Sequence, residues 1–365
     1  MAKKSASKRL RAGIVGCGGI AWQKHLPAIA ATGKIDAVAF CDVIEDRARK
    51  AKKKFGADDA KVYTDYRKLI EDSKLDMLYV LTPNKSHSRI TVDALEAGLH
   101  VMCEKPMAKT SKEAREMAAA AERHKKLLTI GYQNRFRPDS QFLKKAVERG
   151  DLGEIYFSKA HALRRRAVPT WGVFLNEDEQ GGGPLIDIGT HALDLVLWLT
   201  GNYSPKSVMG SAYKKLNGNG DCGNAFGPWD PEEFVVEDSA FGFVMMQNGA
   251  TIILESSWAL NSTDCREAAA TLCGTKAGAD MRGGLTINGD CLGRLYEMPI
   301  DLGAGGVAFF DGGAAASPEI LEQETFIAAI ADGAPLTVFP EEALAVTEIL
   351  EAVYESAKTG KLAKF

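Results

Sequence analysis

Residues 13–21 read Gly-Ile-Val-Gly-Cys-Gly-Gly-Ile-Ala, and they are the strongest indication of fold in the chain. They match the pattern G-x-G-x-x-A at Gly16, Gly18 and Ala21, after a strand-like run and at the start of a helical pattern. In that setting Gly16 permits a tight turn, Gly18 lets backbone N–H groups approach a pyrophosphate, and Ala21 allows close helix–strand packing. The helix N-terminus then faces the phosphates. This loop, including Gly19 and Ile20, predicts a dinucleotide site.

Asp42 follows the next apolar run, residues 35–41. An acid at the end of the second strand can bind the ribose hydroxyls of the adenosine, and it would repel a 2′-phosphate. The sequence therefore predicts NAD as cofactor. Arg47 and Arg49 on the following helix keep NADP as the alternative, unless both simply face solvent.

Short apolar runs alternate with amphipathic helical patterns from residue 10 to about 132, which predicts βαβ units and a parallel sheet. After residue 133 strands dominate, and Asn248-Gly249 between two apolar runs is a strong hairpin signal. We predict an α/β Rossmann domain at residues 1–132 and an α+β domain with a mostly antiparallel sheet at 133–365. The segment 217–231, rich in Gly, Asn and Asp, is predicted to be a long loop or lid.

Composition excludes several classes of protein. Of 365 residues 45% are hydrophobic and 25% charged, as in an ordinary globular protein, and the net charge of −3 gives no reason to expect nucleic acid or a membrane surface as partner. No apolar run is long enough to span a bilayer. The basic start, residues 1–11, lacks the apolar region of a signal peptide, so we expect a solvated tail. Seven cysteines without a Cys-x-x-Cys pair argue against a disulfide framework or a bound metal and favour the reducing cytoplasm.

Two later strands are followed by polar loops at the same sheet edge, where nucleotides bind in such folds. The first loop contains Thr82 and Asn84, with His87 more naturally a packing residue at a helix start. The second is Glu104-Lys105-Pro106, where Lys105 is placed to exchange a proton with a substrate hydroxyl. Taken alone, an exposed Glu-Lys pair is the simpler interpretation. Pro106 restricts Lys105 to extended geometry and is compatible with a cis bond.

The segment 183–199 begins with glycine and leads into a strongly apolar helical pattern. Asp187 and His191 are four residues apart and so share one helix face. A carboxylate that orients an imidazole beside a hydroxyl suits proton transfer. A structural Asp with a partly buried His would be the better interpretation if the dinucleotide loop and the Glu-Lys-Pro segment were missing.

Taken in order, these motifs resemble the Gfo/Idh/MocA family, the relatives of glucose–fructose oxidoreductase and inositol dehydrogenase. They are Gly16-x-Gly18-x-x-Ala21, Thr82-Pro83-Asn84-x-x-His87, Glu104-Lys105-Pro106 and Gly183-x-x-x-Asp187-x-Gly189-x-His191-x-x-Asp194. The resemblance implies a Rossmann domain followed by an α+β domain with a large open sheet, which binds substrate and forms oligomers. It also implies that Lys105, Asp187 and His191 are catalytic, and that Thr82, Asn84, His87, Glu104 and Lys105 help to bind the cofactor.

Three further residues are candidates for contact with the substrate. Arg135 lies in the predicted crossover between the domains, where a salt bridge is an equally good interpretation. Arg166 and Trp171 precede the catalytic helix, where a guanidinium and an aromatic ring could hold a sugar, although at most one or two of the arginines 164–166 can point inward.

The family implies hydride transfer between the nicotinamide and a secondary hydroxyl or ketone of a sugar, sugar derivative or cyclitol, by a homodimer or homotetramer. A glycosidase of the same fold that oxidises the sugar transiently, without net NADH, would keep the same motifs. A dinucleotide-binding regulator that has lost its chemistry is the third alternative. The intact Lys105, Asp187 and His191 argue against it.

Overall fold

The amino-terminal apolar runs form one parallel sheet in the computed structural model, which describes residues 9–72, 74–303 and 317–365. Its strands are β1 (Leu10–Val15), β2 (Ile35–Cys41), β3 (Lys61–Tyr63), β4 (Met77–Val80), β5 (His100–Cys103) and β6 (Leu128–Ile130). The connecting helices are α1 (Leu26–Thr32), α2 (Glu45–Phe55), α3 (Tyr66–Asp72), α4 (His87–Glu96) and α5 (Ser111–His124). A π-helical turn, Ala21–His25, precedes α1.

The strand order is β3-β2-β1-β4-β5-β6, and all five pairs are parallel. The order reverses between β1 and β4, and in such sheets the ligand crevice lies at that reversal, outside the carboxyl ends of the strands. The predicted Rossmann topology is confirmed. The three-residue edge strand β3 was not predicted.

Most of the remaining described residues build a second, larger sheet. Its strands are β7 (Ile155–Leu163), β8 (Pro205–Tyr213), β9 (Ser239–Met246), β10 (Thr251–Ser257), β11 (Glu267–Gly274), β12 (Ala277–Asp280), β13 (Thr286–Cys291), β14 (Arg294–Pro299) and β15 (Ala363–Lys364). The helices are α6 (Pro138–Glu148), α7 (Glu177–Gln180), α8 (Thr190–Thr200), α9 (Pro318–Asp332) and α10 (Pro340–Thr359).

This sheet has the order β14-β13-β12-β11-β7-β10-β9-β8-β15, with β7 and β10 parallel and the other pairs antiparallel. The predicted hairpin at Asn248-Gly249 joins β9 to β10, and Gly249 has a φ of 87° that its turn requires. The predicted α+β domain with a mostly antiparallel sheet is therefore confirmed.

Helix α8 packs on β7 and β11 and forms the core beside this sheet. Ten of its eleven residues are buried, and Leu193, Val196 and Leu197 are completely inaccessible to solvent. A helix that is apolar around its whole circumference has to be enclosed. Its position is thus fixed by packing, and with it that of the polar side chains on its first turn.

The contacts divide the chain differently from the continuous boundary expected at 132/133. Among the described residues, one unit comprises 9–72, 74–107, 112–133 and 317–340, and the other comprises 108–111, 134–303 and 341–365. Helix α9 packs on α1, and Phe326 and Ile327 join the core of the Rossmann sheet. The apolar pattern of a helix does not reveal which sheet buries it, so the sequence analysis assigned α9 to the second domain.

Residues 1–8 of the expected solvated tail, which was predicted for residues 1–11, lie outside the described residues. Across the ranges that are described, every helix is too short or too polar to cross a membrane.

Candidate active site

The glycine loop after β1 has the shape that a dinucleotide requires. Gly16 has a φ of 92°, and a Cβ there would lie 2.5 Å from the Leu81 carbonyl oxygen, so the protein itself demands glycine. At Gly18 and Gly19 a Cβ would meet no atom within 4 Å. Packing therefore does not explain these two glycines, whereas the approach of a pyrophosphate to the backbone would. Ile20 beside them is 39% exposed.

Asp42 lies beside this loop and is largely buried. The backbone N–H of Cys17 donates to its Oδ2 at 2.8 Å, and that of Ile44 donates to its Oδ1 at 2.8 Å. Each carboxylate oxygen keeps a second lone pair for a ribose hydroxyl. On the loop after β4, the buried Oγ1 of Thr82 has no hydrogen-bond partner among the described residues, and Asn84 is nearly buried. These polar groups fit the ribose and amide groups of a bound NAD.

The side chain of His87 hydrogen-bonds to the loops after β4 and β5, which corrects its assignment as a cofactor contact. Its ring is completely buried, with Nδ1 2.8 Å from the Pro106 carbonyl oxygen and Nε2 2.9 Å from that of Thr82. Burial lowers the pKa of His87 below its ordinary value. The side chain links the loops after β4 and β5, so the packing interpretation describes it better.

Glu104 is also turned inward, which corrects a second cofactor assignment. Its Oε1 lies 2.7 Å from Lys24 Nζ and 2.7 Å from His25 Nε2, and its Oε2 accepts the backbone N–H of Lys105 at 3.0 Å. Lys24 also pairs with Glu322 on α9 at 3.1 Å. Burial would raise the pKa of Glu104, but Lys24 and His25 more than offset it and hold that pKa well below its usual range. The carboxylate is therefore an ionised anchor for the backbone that carries Lys105.

Lys105 itself is half-buried, and its peptide bond to Pro106 is cis, as the sequence allowed. It belongs to the Rossmann unit, whereas Asp187 and His191 belong to the other unit. The expectation that the three residues act together remains a prediction.

Asp187 and His191 lie on one continuous helical segment. Asp187 is in a π-helical turn, Leu185–Gly189, and His191 is in the first turn of α8. The Nε1–H of Trp258, a completely buried ring, donates to Asp187 Oδ2 at 3.0 Å. His191 is 8% exposed. This carboxylate is held by an indole that the sequence analysis did not single out.

The three arginines before the segment differ in their surroundings. Arg166 donates to the Arg165 carbonyl oxygen and to Asn261 Oδ1, both at 2.7 Å. Arg164 forms two bonds to Glu267, at 2.6 and 2.7 Å. Burial would lower the pKa of Arg164, but Glu267 and then Asp187 raise it above its ordinary value. Asp187 therefore contributes to the charge environment of Arg164, and the contact of Arg166 with a substrate stays a prediction.

Trp171 is 52% exposed, and its ring meets that of Phe226 edge-on at 4.7 Å. Phe226 belongs to the predicted loop 217–231, which Trp229 fastens by donating to the Asn217 carbonyl oxygen at 2.7 Å. An exposed aromatic pair of this kind suits the apolar face of a sugar ring. The contact of Trp171 with a substrate stays a prediction, and its neighbour Phe226 was not predicted because nothing in the sequence sets the path of a long loop.

Arg135 is not available to a substrate, and its predicted role there is corrected. It is completely buried and donates to Asp194 through Nη2 at 2.6 Å and through Nε, while Nη1 pairs with Glu342. Burial would lower the pKa of Arg135, but Asp194 more than offsets it and raises that pKa. The salt bridge that the sequence left as the alternative is the observed one.

Comparison with known proteins places this chain beside sugar dehydrogenases. Residues 10–132 match the profile of an oxidoreductase family with an NAD-binding Rossmann fold, and residues 140–280 match the GFO/IDH/MocA C-terminal domain. D-Glucoside 3-dehydrogenase of Escherichia coli K12 is 36% identical over 362 residues, which cover 99% of either chain.

Solved structures agree on the fold. A levoglucosan dehydrogenase in complex with NADH and levoglucosan has a TM-score of 0.81 at 23% identity, covering 98% of this chain and 99% of the other. The aldose-aldose oxidoreductase of Caulobacter crescentus, complexed with glycerol, has a TM-score of 0.79 at 23% identity, covering 98% and 100%.

Proposed function

Because the chain belongs to the Gfo/Idh/MocA family of oxidoreductases, we propose that it is an NAD-dependent dehydrogenase that oxidises a secondary hydroxyl of a sugar, with carbon 3 of a D-glucoside as the first choice. The full-length likeness to a D-glucoside 3-dehydrogenase is the observation that carries the choice of substrate. The open backbone at Gly18 and Gly19, beside the carboxylate of Asp42, supports the choice of cofactor.

We assign the acid–base chemistry to Lys105, Asp187 and His191. Oxidation breaks the C–H bond at the carbinol carbon and the O–H bond, and it forms the C=O bond. When bound, NAD supplies the hydride acceptor. The proton of the hydroxyl passes to Lys105 or His191, and the Asp187 carboxylate favours the positive charge that results. The Trp258 N–H fixes one oxygen of that carboxylate and thereby limits its rotation.

A panel of D-glucosides, free sugars and inositols, each with NAD and with NADP, tests the proposal at the nicotinamide absorbance. We expect net NADH formation with glucosides. Release of the aglycone without net NADH would indicate the glycosidase of this fold instead. Tight NAD binding without turnover of any member of the panel would favour the regulator.

We predict that Asp42→Ser weakens NAD and lowers the ratio of kcat/KM for NAD to that for NADP by roughly tenfold or more, since a carboxylate close to a 2′-phosphate is removed. Asp46→Ser is the matched control, because Asp46 is an exposed acid of α2 paired with Lys50. Equal kcat/KM for both cofactors in the wild type would contradict the assignment.

We also predict a homo-oligomer formed through the open face of the second sheet. Met209, Tyr213, Phe243 and Met245 expose between 38% and 45% of their surface there, and Met209 is the cross-strand neighbour of Phe243. An apolar patch of this kind is usually covered by a partner. Phe243→Glu should dissociate the oligomer, as measured by light scattering. Leu292→Glu should not, because Leu292 lies in a turn and is itself 97% exposed. A wild-type monomer at micromolar concentration would contradict the prediction.

A further inference from the structure

Glu237 lies just before β9, is 5% exposed, and directs its carboxylate into the protein. Its Oε2 accepts the backbone N–H of Gly183 at 2.8 Å, and its Oε1 accepts that of Leu185 at 3.2 Å. Oε1 also accepts the Tyr354 hydroxyl at 2.8 Å. These are the first amides of the helical segment that carries Asp187 and His191, and such amides have no partner within a helix.

The contact continues directly to the acid–base pair. The carbonyl oxygen of Gly183 accepts the N–H of Asp187 at 3.0 Å, so Glu237 and Asp187 bind opposite sides of one residue. A Cβ at Gly183 would lie 2.2 Å from the Glu237 carbonyl oxygen, and one at Gly182 would lie 2.1 Å from the Tyr354 hydroxyl. The absence of a side chain at Gly182 and Gly183 is therefore required by this approach.

We propose that Glu237 is a positioning residue, which sets the start of the π-helical turn and thereby the placement of Asp187 and His191. The inference rests on the proposed function, since it assigns Glu237 to the same reaction. A buried anion that binds helix N-terminal amides stabilises that end of the helix. Burial raises the pKa of Glu237, and the hydrogen bonds from Tyr354 and the amides oppose that rise.

Glu237→Gln isolates the effect because it keeps the size of the side chain. Whichever way the glutamine amide is turned, its NH₂ group faces the backbone N–H of either Gly183 or Leu185, and that hydrogen bond is lost. We expect kcat to fall by roughly 10- to 100-fold, as for a misplaced catalytic group, while KM for NAD stays unchanged. Tyr354→Phe keeps both amide bonds and should lose much less. Glu237 and Tyr354 line a cavity of about 470 Å³, which Glu177 also lines. Glu177→Gln is the control, since Glu177 is exposed.

Hydrogen exchange gives a second readout that needs no substrate. In the wild type the backbone N–H groups of residue 183 and of residues 185–189 should be as protected as those of α8, and Glu237→Gln should expose them selectively. Unchanged kcat and protection in a folded Glu237→Gln protein would overturn the inference. If that variant does not fold, fast hydrogen exchange of residues 183–189 in the wild type would overturn the inference. Lack of dehydrogenase activity in the wild type, with the segment protected, would instead count against the proposed function alone.

Discussion

Lys105→Ala and His191→Ala should each lose about 10²–10⁴ in kcat, the usual effect of removing an acid–base group. The dissociation constant for NAD, whose binding we assign mainly to Gly16, Gly18 and Asp42, should change far less than kcat. The kcat of Asp187→Asn should lie between those of the alanine variants and of the wild type, because asparagine keeps an oxygen that accepts the Trp258 N–H but loses the charge. Steady-state kinetics on the substrate identified by the panel, with NAD binding measured separately, checks these outcomes.

Groups that share one proton path are strongly non-additive, so the double alanine variant should be little worse than the poorer single one. Lys112→Ala and His124→Ala on the surface of α5 are matched controls for the loss of an amine and of an imidazole. Near-native turnover by either active-site variant would contradict the assignment. If both variants fail to fold or to bind NAD, Lys105 and His191 have a structural role instead.

Arg135→Ala should destabilise the protein by about 3–5 kcal/mol, because it leaves the carboxylate of Asp194 buried without its partner. Asp194 has no solvent exposure, and the guanidinium also lies 5.8 Å from the ring of Trp198. Denaturant unfolding followed by tryptophan fluorescence measures the loss. Arg149→Ala is the control, since the Arg149–Asp151 pair is exposed and its removal should leave the unfolding midpoint unchanged.

The double variant Arg135→Met/Asp194→Leu should recover much of the lost stability, because the completely buried charge of Asp194 is removed together with its partner, whereas the remaining Glu342 side chain is 22% exposed. The same experiment separates the two interpretations of Arg135 that the sequence left open. A stable Arg135→Ala protein with a raised KM for the sugar alone would restore the substrate role.

The sequence by itself determined the features that depend on local order. The glycine loop at residues 13–21, the alternation of strands and helices and the Asn248-Gly249 hairpin are short-range patterns, and each formed as predicted. The motif order was sufficient to indicate the family. The pairing of Asp187 and His191 on one helical segment also follows from their spacing.

Only the tertiary structure decided which charged side chains pair within the protein. Arg135 lies in the predicted crossover and Glu104 in the Glu-Lys-Pro motif, yet their partners Asp194 and Lys24 lie 59 and 80 residues away in the chain. The same holds for α9, whose Glu322 reaches Lys24 across 298 residues. A sequence pattern predicts on which side of a helix, or at which end of a strand, a charged residue lies. Whether that charge is paired within the protein depends on which elements pack together, because its partner is distant in the chain.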